Sequence, residues 1–145
     1  MAEFTRRRLI HPLTDDEFIR SFERCTLDSF RHSDHVRAAF LYLTRFPALE
    51  ALQRFSTALL RFATAQGKPD RYNETITWAF VLLIRERIAR AARSQTWPQF
   101  AAANTDLLNW EENILKKYYR GETLYSELVR TTFLFPDKFL PDETR

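Results

Sequence analysis

Apolar side chains recur three and four residues apart through most of this chain, and a period-two alternation is absent. The first helical run opens at Thr14-Asp15-Asp16-Glu17, which has the spacing of a capping box. The helix it predicts carries Phe18, Phe22 and Cys25 and breaks over residues 28–32. A second helix begins at Ser33 or just before it. It puts Val36, Phe40 and Leu43 on one stripe, with His35, Ala39, Tyr42 and Phe46 beside it. Pro47 suits the start of a third helix, where a missing N–H costs nothing. Leu49, Leu52, Phe55, Leu59, Leu60 and Ala63 continue that helix. Gly67 is expected to end it in the left-handed conformation, and Pro69 keeps it from resuming.

The fourth predicted helix starts near Asp70. One of its rows holds Ile76, Phe80, Leu83 and Arg87, and the next holds Glu74, Thr77, Val81, Ile84 and Ile88. The apolar arc is so wide that this helix is expected at the centre of the fold. Thr96 caps a short helix with Pro98 near its start and Phe100 and Ala103 along it, and Asn104-Thr105-Asp106 marks a turn. Two further helices are predicted, one over 110–119 that stops at Gly121 and one over 122–133. The pattern therefore predicts an all-α, single-domain bundle of about six helices. Residues 1–13 read as an N-terminal arm, 14–135 as the helical domain and 136–145 as a C-terminal tail.

Composition narrows the functions open to such a bundle. The 145 residues include only 2 glycines, where average usage would give roughly 10. Phosphate loops and dinucleotide fingerprints, which need closely spaced glycines, are thereby excluded. The 21 aromatic residues, 13 of them Phe, can fill a substantial core, and the net charge of +3 is too small an excess to argue for nucleic acid. Cys25 is the sole cysteine and is expected to be a buried small side chain. Arg6, Arg7 and Arg8 precede only Leu9-Ile10 before acidic residues follow, so no signal peptide is read, and a cytoplasmic location is expected. The longest apolar run, residues 78–84, is far short of the ~20 needed to span a bilayer.

Two short segments carry the candidate chemistry. In His32-Ser33-Asp34-His35-Val36-Arg37, two histidines three apart can share a helix face and offer neutral imidazoles to one metal ion. If Ser33 is instead the N-cap, His32 falls outside the helix and Asp34 simply complements the helix dipole. In Arg71-Tyr72-Asn73-Glu74-Thr75-Ile76-Thr77-Trp78, Glu74 lies on a buried row, where a carboxylate needs a partner. That partner can be a metal, an arginine or the positive end of the helix. Should the two helix starts meet, His32, His35 and Glu74 form a metal set of the zinc or non-haem iron class. Asn73, Tyr42 and Thr77 are then the candidate catalytic residues, orienting water or substrate. Arg87 and Trp78 are candidate ligand-binding residues. Arg87 is expected to pair with Glu74 or with another acid. A third segment, residues 116–127, mixes cations and aromatics around Gly121 and reads most simply as a helix end complemented by charge.

The segments 32–37, 72–77, 109–110 and 118–127 together resemble a family of small, mostly hypothetical bacterial all-helical proteins. There the first segment reads His-x-x-His, then an aliphatic residue and Arg, and the second reads Tyr-His-Glu-Thr, then Ile or Leu, then Thr. His32, His35, Glu74, Thr75 and Thr77 agree with it, whereas Asn73 stands where the family has His. The resemblance implies a shared site and no particular activity.

Three functions are expected to compete. The first is a small metal-dependent enzyme acting on a small polar metabolite, by hydrolysis or by water addition or elimination. The second is a non-catalytic module that binds a small molecule. The third is a helix-turn-helix-like interaction module built from residues 97–117, with Lys116, Lys117 and Arg120 on phosphates. Weak net charge disfavours the third. No membrane partner is expected, and a homodimer is left open.

Overall fold

The computed structural model describes residues 12–138. Seven α-helices and no strand occur among them: α1 Asp15–Glu23, α2 His32–Arg45, α3 Ala48–Ala65, α4 Glu74–Arg90, α5 Trp97–Ala103, α6 Gly121–Leu124 and α7 Leu128–Thr131. The all-α single-domain bundle is thus the observed fold. Among the described residues, no helix is long and apolar enough to cross a membrane. Of the arm expected over 1–13, only residues 12 and 13 are described. Of the tail expected over 136–145, only 136–138 are described.

The helix starts follow from local chemistry. Thr14 and Glu17 form the reciprocal capping box at α1, and Thr96 and Gln99 form another at α5. Gly67 closes α3 with φ +74°, and Lys68 N donates to Ala63 O while Gly67 N donates to Thr64 O. This is the double bond pattern of a left-handed helix stop. Open space surrounds the glycine, so only backbone strain opposes a side chain there. Gly67→Ala is expected to cost about 1 kcal/mol, read as a lower midpoint in urea denaturation. Cys25 closes α1 in the same way with φ 59° and is half-buried, more exposed than its residue type led us to expect.

The centre of the bundle is α2, not α4. Residues 38–43 of α2 are buried without interruption, so all its sides are covered there. It packs against α1, α3, α4 and α5. In contrast, α4 leaves Leu82 49% exposed. Its N-terminus also differs from the expectation. Residues Pro69–Arg71 form a 3-10 turn, and the helix begins only at Glu74, after the Asn73 side chain accepts from Ile76 N at 2.9 Å.

The largest departure lies in the last third. The helix expected over 110–119 is a 3-10 turn, Ile114–Lys117. Asn109 Oδ1 accepts from Glu112 N, Asn113 Oδ1 accepts from Leu115 N, and Asn113 Nδ2 donates to Trp110 O. Such local side-chain bonds compete with helix formation. The helix expected over 122–133 is split into α6 and α7, with Ser126 Oγ donating back to Thr123 O at the break. Gly121 opens α6 instead of ending a helix.

Residues 132–138 follow without regular secondary structure and are tied back onto α4 and Tyr119. The Thr75 hydroxyl, on the first turn of α4, donates to Thr132 O at 2.6 Å and accepts from Leu134 N at 3.0 Å. Tyr119 donates to Leu134 O at 2.7 Å. The Asp137 carboxylate takes Arg120 N and the Thr123 hydroxyl, and these bonds hold it below the usual carboxylate range.

Candidate functional site

The His-x-x-His segment is half-buried at the start of α2. His32 is the first helical residue, so Ser33 is not the cap, and Asp34 Oδ2 accepts from Arg31 N at 2.8 Å. His32 Nε2 stands 2.8 Å from Leu107 O. A carbonyl only accepts, so Nε2 carries the proton and is spent on that bond. The ring lies 4.8 Å from that of Phe80 and 5.0 Å from that of Trp110. His35 sits 4.4 Å from the Phe30 ring, within a cluster that includes Phe22 and Phe62. Burial, helped by the nearby His32, depresses its pKa to about 4. Burial also lowers that of His32.

Glu74 does not join them. Its Oε1 accepts a short hydrogen bond from the Tyr72 hydroxyl. Among the described residues, no three His, Cys, Asp or Glu side chains are grouped so as to hold a metal ion. The expected metal set His32, His35 and Glu74 is therefore not assembled. The reason is local: a carbonyl and an aromatic cluster occupy the two imidazoles, while a tyrosine two residues away occupies the carboxylate.

The accessory residues are likewise committed elsewhere. Asn73 is the α4 N-cap. Tyr42 is buried and donates to Glu23 Oε2 at 2.6 Å, so it is not free to serve an imidazole site. Thr77 is buried in α4. Arg87 pairs with Asp106 through two bonds, 3.1 and 2.7 Å, and donates to Asn104 Oδ1 at 2.8 Å. It thus ties α4 to the turn after α5 and is satisfied by an acid other than Glu74. The helix-turn-helix expectation over 97–117 also lacks its second helix, since α5 is followed up to residue 117 only by 3-10 turns.

What Glu74 and Trp78 do share is a cleft of about 720 Å³ between α3, the turn Pro69–Arg71, the start of α4 and α7. Leu49, Leu52 and Leu60 form its apolar wall, and Ser56, Asp70, Tyr72 and Arg130 add polar groups. Four buried side-chain N or O atoms lack a hydrogen-bond partner among the described residues: Ser56 Oγ, Trp78 Nε1, Arg130 Nε and Arg37 Nε. Three of the four belong to residues that line this cleft. Ser56 and Trp78 stand within bonding reach of the Tyr72 hydroxyl at imperfect geometry and temper its pKa, which burial and Glu74 drive upward. Each such orphan is costly, and its clustering calls for an explanation. Arg130 spans the cleft edge, donating to Glu127 Oε2 at 2.6 Å and lying 3.4 Å from Asp70 Oδ1.

A second cleft of about 910 Å³ lies on the other side of α3 and shares Leu49, Gln53 and Thr57 with the first. Its charges are largely spent, with Arg54 on Glu50 and Glu23 on Tyr42. None of the orphaned atoms lines it.

Of the residues lining this cleft, the sequence singled out Glu74, as a metal ligand, and Trp78, as a ligand-binding residue, but not Ser56, Tyr72 or Arg130. Tyr72 was visible two residues before Glu74. Ser56 interrupts the leucines of α3, which was a faint signal. Nothing in the sequence linked Arg130 to residue 70. Compared with known proteins, the chain matches no family model, no curated protein and no solved structure.

Proposed function

We propose that the protein is a small-molecule-binding helical module whose site is the cleft lined by Tyr72, Glu74, Trp78 and Arg130. The observation that carries this reading is a concave, partly apolar cleft whose wall gathers the polar groups of Tyr72, Glu74, Trp78 and Arg130 beside exposed leucines. Ligand sites combine those features: apolar walls for affinity and a few fixed polar groups for orientation. A single, unbridged cysteine suits the reducing cytoplasm as the place of action.

The Trp78 indole N–H gives a direct readout in ¹H–¹⁵N correlation spectra, assigned with Trp78→Phe. Small organic fragments are expected to move that signal while the Trp97 indole stays fixed. If fragments bind and move only signals remote from α3 and α4, the cleft is not the site. Zinc chloride serves as the opposing arm. A zinc-induced rise in melting temperature that disappears in His35→Ala would replace this reading with the metal-dependent one.

A further inference from the structure

The charge arrangement of the cleft goes one step beyond the presence of a ligand site. Arg130 is the cation at its edge, and two carboxylates, Asp70 and Glu127, already oppose it. Glu74 has no such partner. No Lys, Arg or His is paired with it among the described residues, and its hydrogen bond comes from a neutral phenol. That phenol uses Oε1 alone, and among the described residues no hydrogen bond reaches Oε2. The start of α4 offers only about half a positive charge. That is too little to cancel a full carboxylate charge.

The surroundings of this unmatched carboxylate are aromatic and aliphatic. Tyr72 and Trp78 contribute rings to the wall, and Trp78 is steadied by Phe133 at 5.6 Å. Leu49 and Leu60 remain 80% and 44% exposed along the same wall. Exposed apolar side chains beside a fixed anion suit a ligand with a cationic head and an apolar body. Aromatic rings add to the attraction for a cation. An anionic ligand would have to approach Glu74 and draw Arg130 away from two carboxylates.

The geometry points to an organic ammonium ion as the ligand class: an amine with an apolar group, its head at Glu74 and its body along Leu49, Leu52 and Leu60. This rests on the cleft being the binding site. Tyr72 is a positioning residue here, because it fixes the carboxylate that meets the amine.

Three matched probes test it: benzylammonium, benzyl alcohol and benzoate, titrated into the full chain and into Glu74→Gln. Glutamine keeps an oxygen for the Tyr72 hydroxyl and removes the charge. Benzylammonium is expected to bind about tenfold more tightly than benzyl alcohol, to move the Trp78 indole signal, and to lose that advantage in Glu74→Gln and at high salt. An unchanged melting temperature confirms that the variant is folded. Equal binding of the alcohol, preference for benzoate, or an amine preference that survives Glu74→Gln overturns the amine assignment and leaves the cleft as a binding site. Failure of all three probes to move Trp78 overturns both.

Discussion

Acidification from pH 7 to pH 4 is expected to remove at most about 3 kcal/mol of folding stability through His35 alone. Its pKa falls from 6.5 to about 4 in the folded chain, because burial opposes the charged ring and His32 adds a second imidazole nearby. Between those two values the unfolded chain takes up a proton that the folded chain refuses. The stabilisation is therefore complete above pH 6.5 and is lost as pH falls toward 4. One pKa unit corresponds to about 1.4 kcal/mol, which sets the magnitude. Other groups also titrate on the acid side, among them Asp106 beside Arg87 and Asp137 beneath Thr123. The informative quantity is thus the difference from His35→Gln, which keeps a polar side chain and cannot titrate. Urea midpoints across pH 4–7 should fall more shallowly in the variant than in the parent. Parallel curves would mean that the His35 ring is hydrated and ordinary.

Thr75→Val should destabilise the protein by about 2–3 kcal/mol. Thr75 is fully buried, and its hydroxyl both donates to Thr132 O and accepts from Leu134 N. Valine is the same size and leaves both backbone groups unmatched, at about 1–3 kcal/mol for each one kept from water. Thr132 is exposed, so water can recover part of that cost. Thr75→Ser keeps the hydroxyl and should recover most of the stability. Hydrogen exchange localises the effect. The Leu134 amide should lose protection in Thr75→Val, while amides in the middle of α2 keep theirs until global unfolding. Equal loss throughout would show that Thr75 matters to the whole core and not specifically to residues 132–138.

Where side chains and backbone agreed over a few residues, the sequence was legible. Thr14, Thr96 and Gly67 each act within four residues of themselves, and each stands where the pattern put it. The central helix was misjudged because burial is a tertiary property. Both α2 and α4 carry wide apolar arcs, and only packing shows that α2 is covered on every side. The last third was misread because Asn109, Asn113 and Ser126 turn their side chains onto the backbone, which apolar periodicity does not register. The site followed the same division. Glu74 and Trp78 share one helix and could be paired by spacing. His32 and Glu74 could not be tested for proximity from spacing at all, and Arg130 reaches Asp70 across 60 positions of chain.

That separation has a consequence for when the site comes into being. In a chain synthesised from its N-terminus, α1 to α4 can pack against one another early, while the cleft has only three of its walls. The fourth arrives with Arg130, and the Thr75 hydroxyl finds its partners only when Thr132 and Leu134 follow. Contacts so distant in sequence form late because closing the loop costs entropy before any bond compensates. The cleft is then complete only in the finished protein, however well the core of a nascent intermediate is formed.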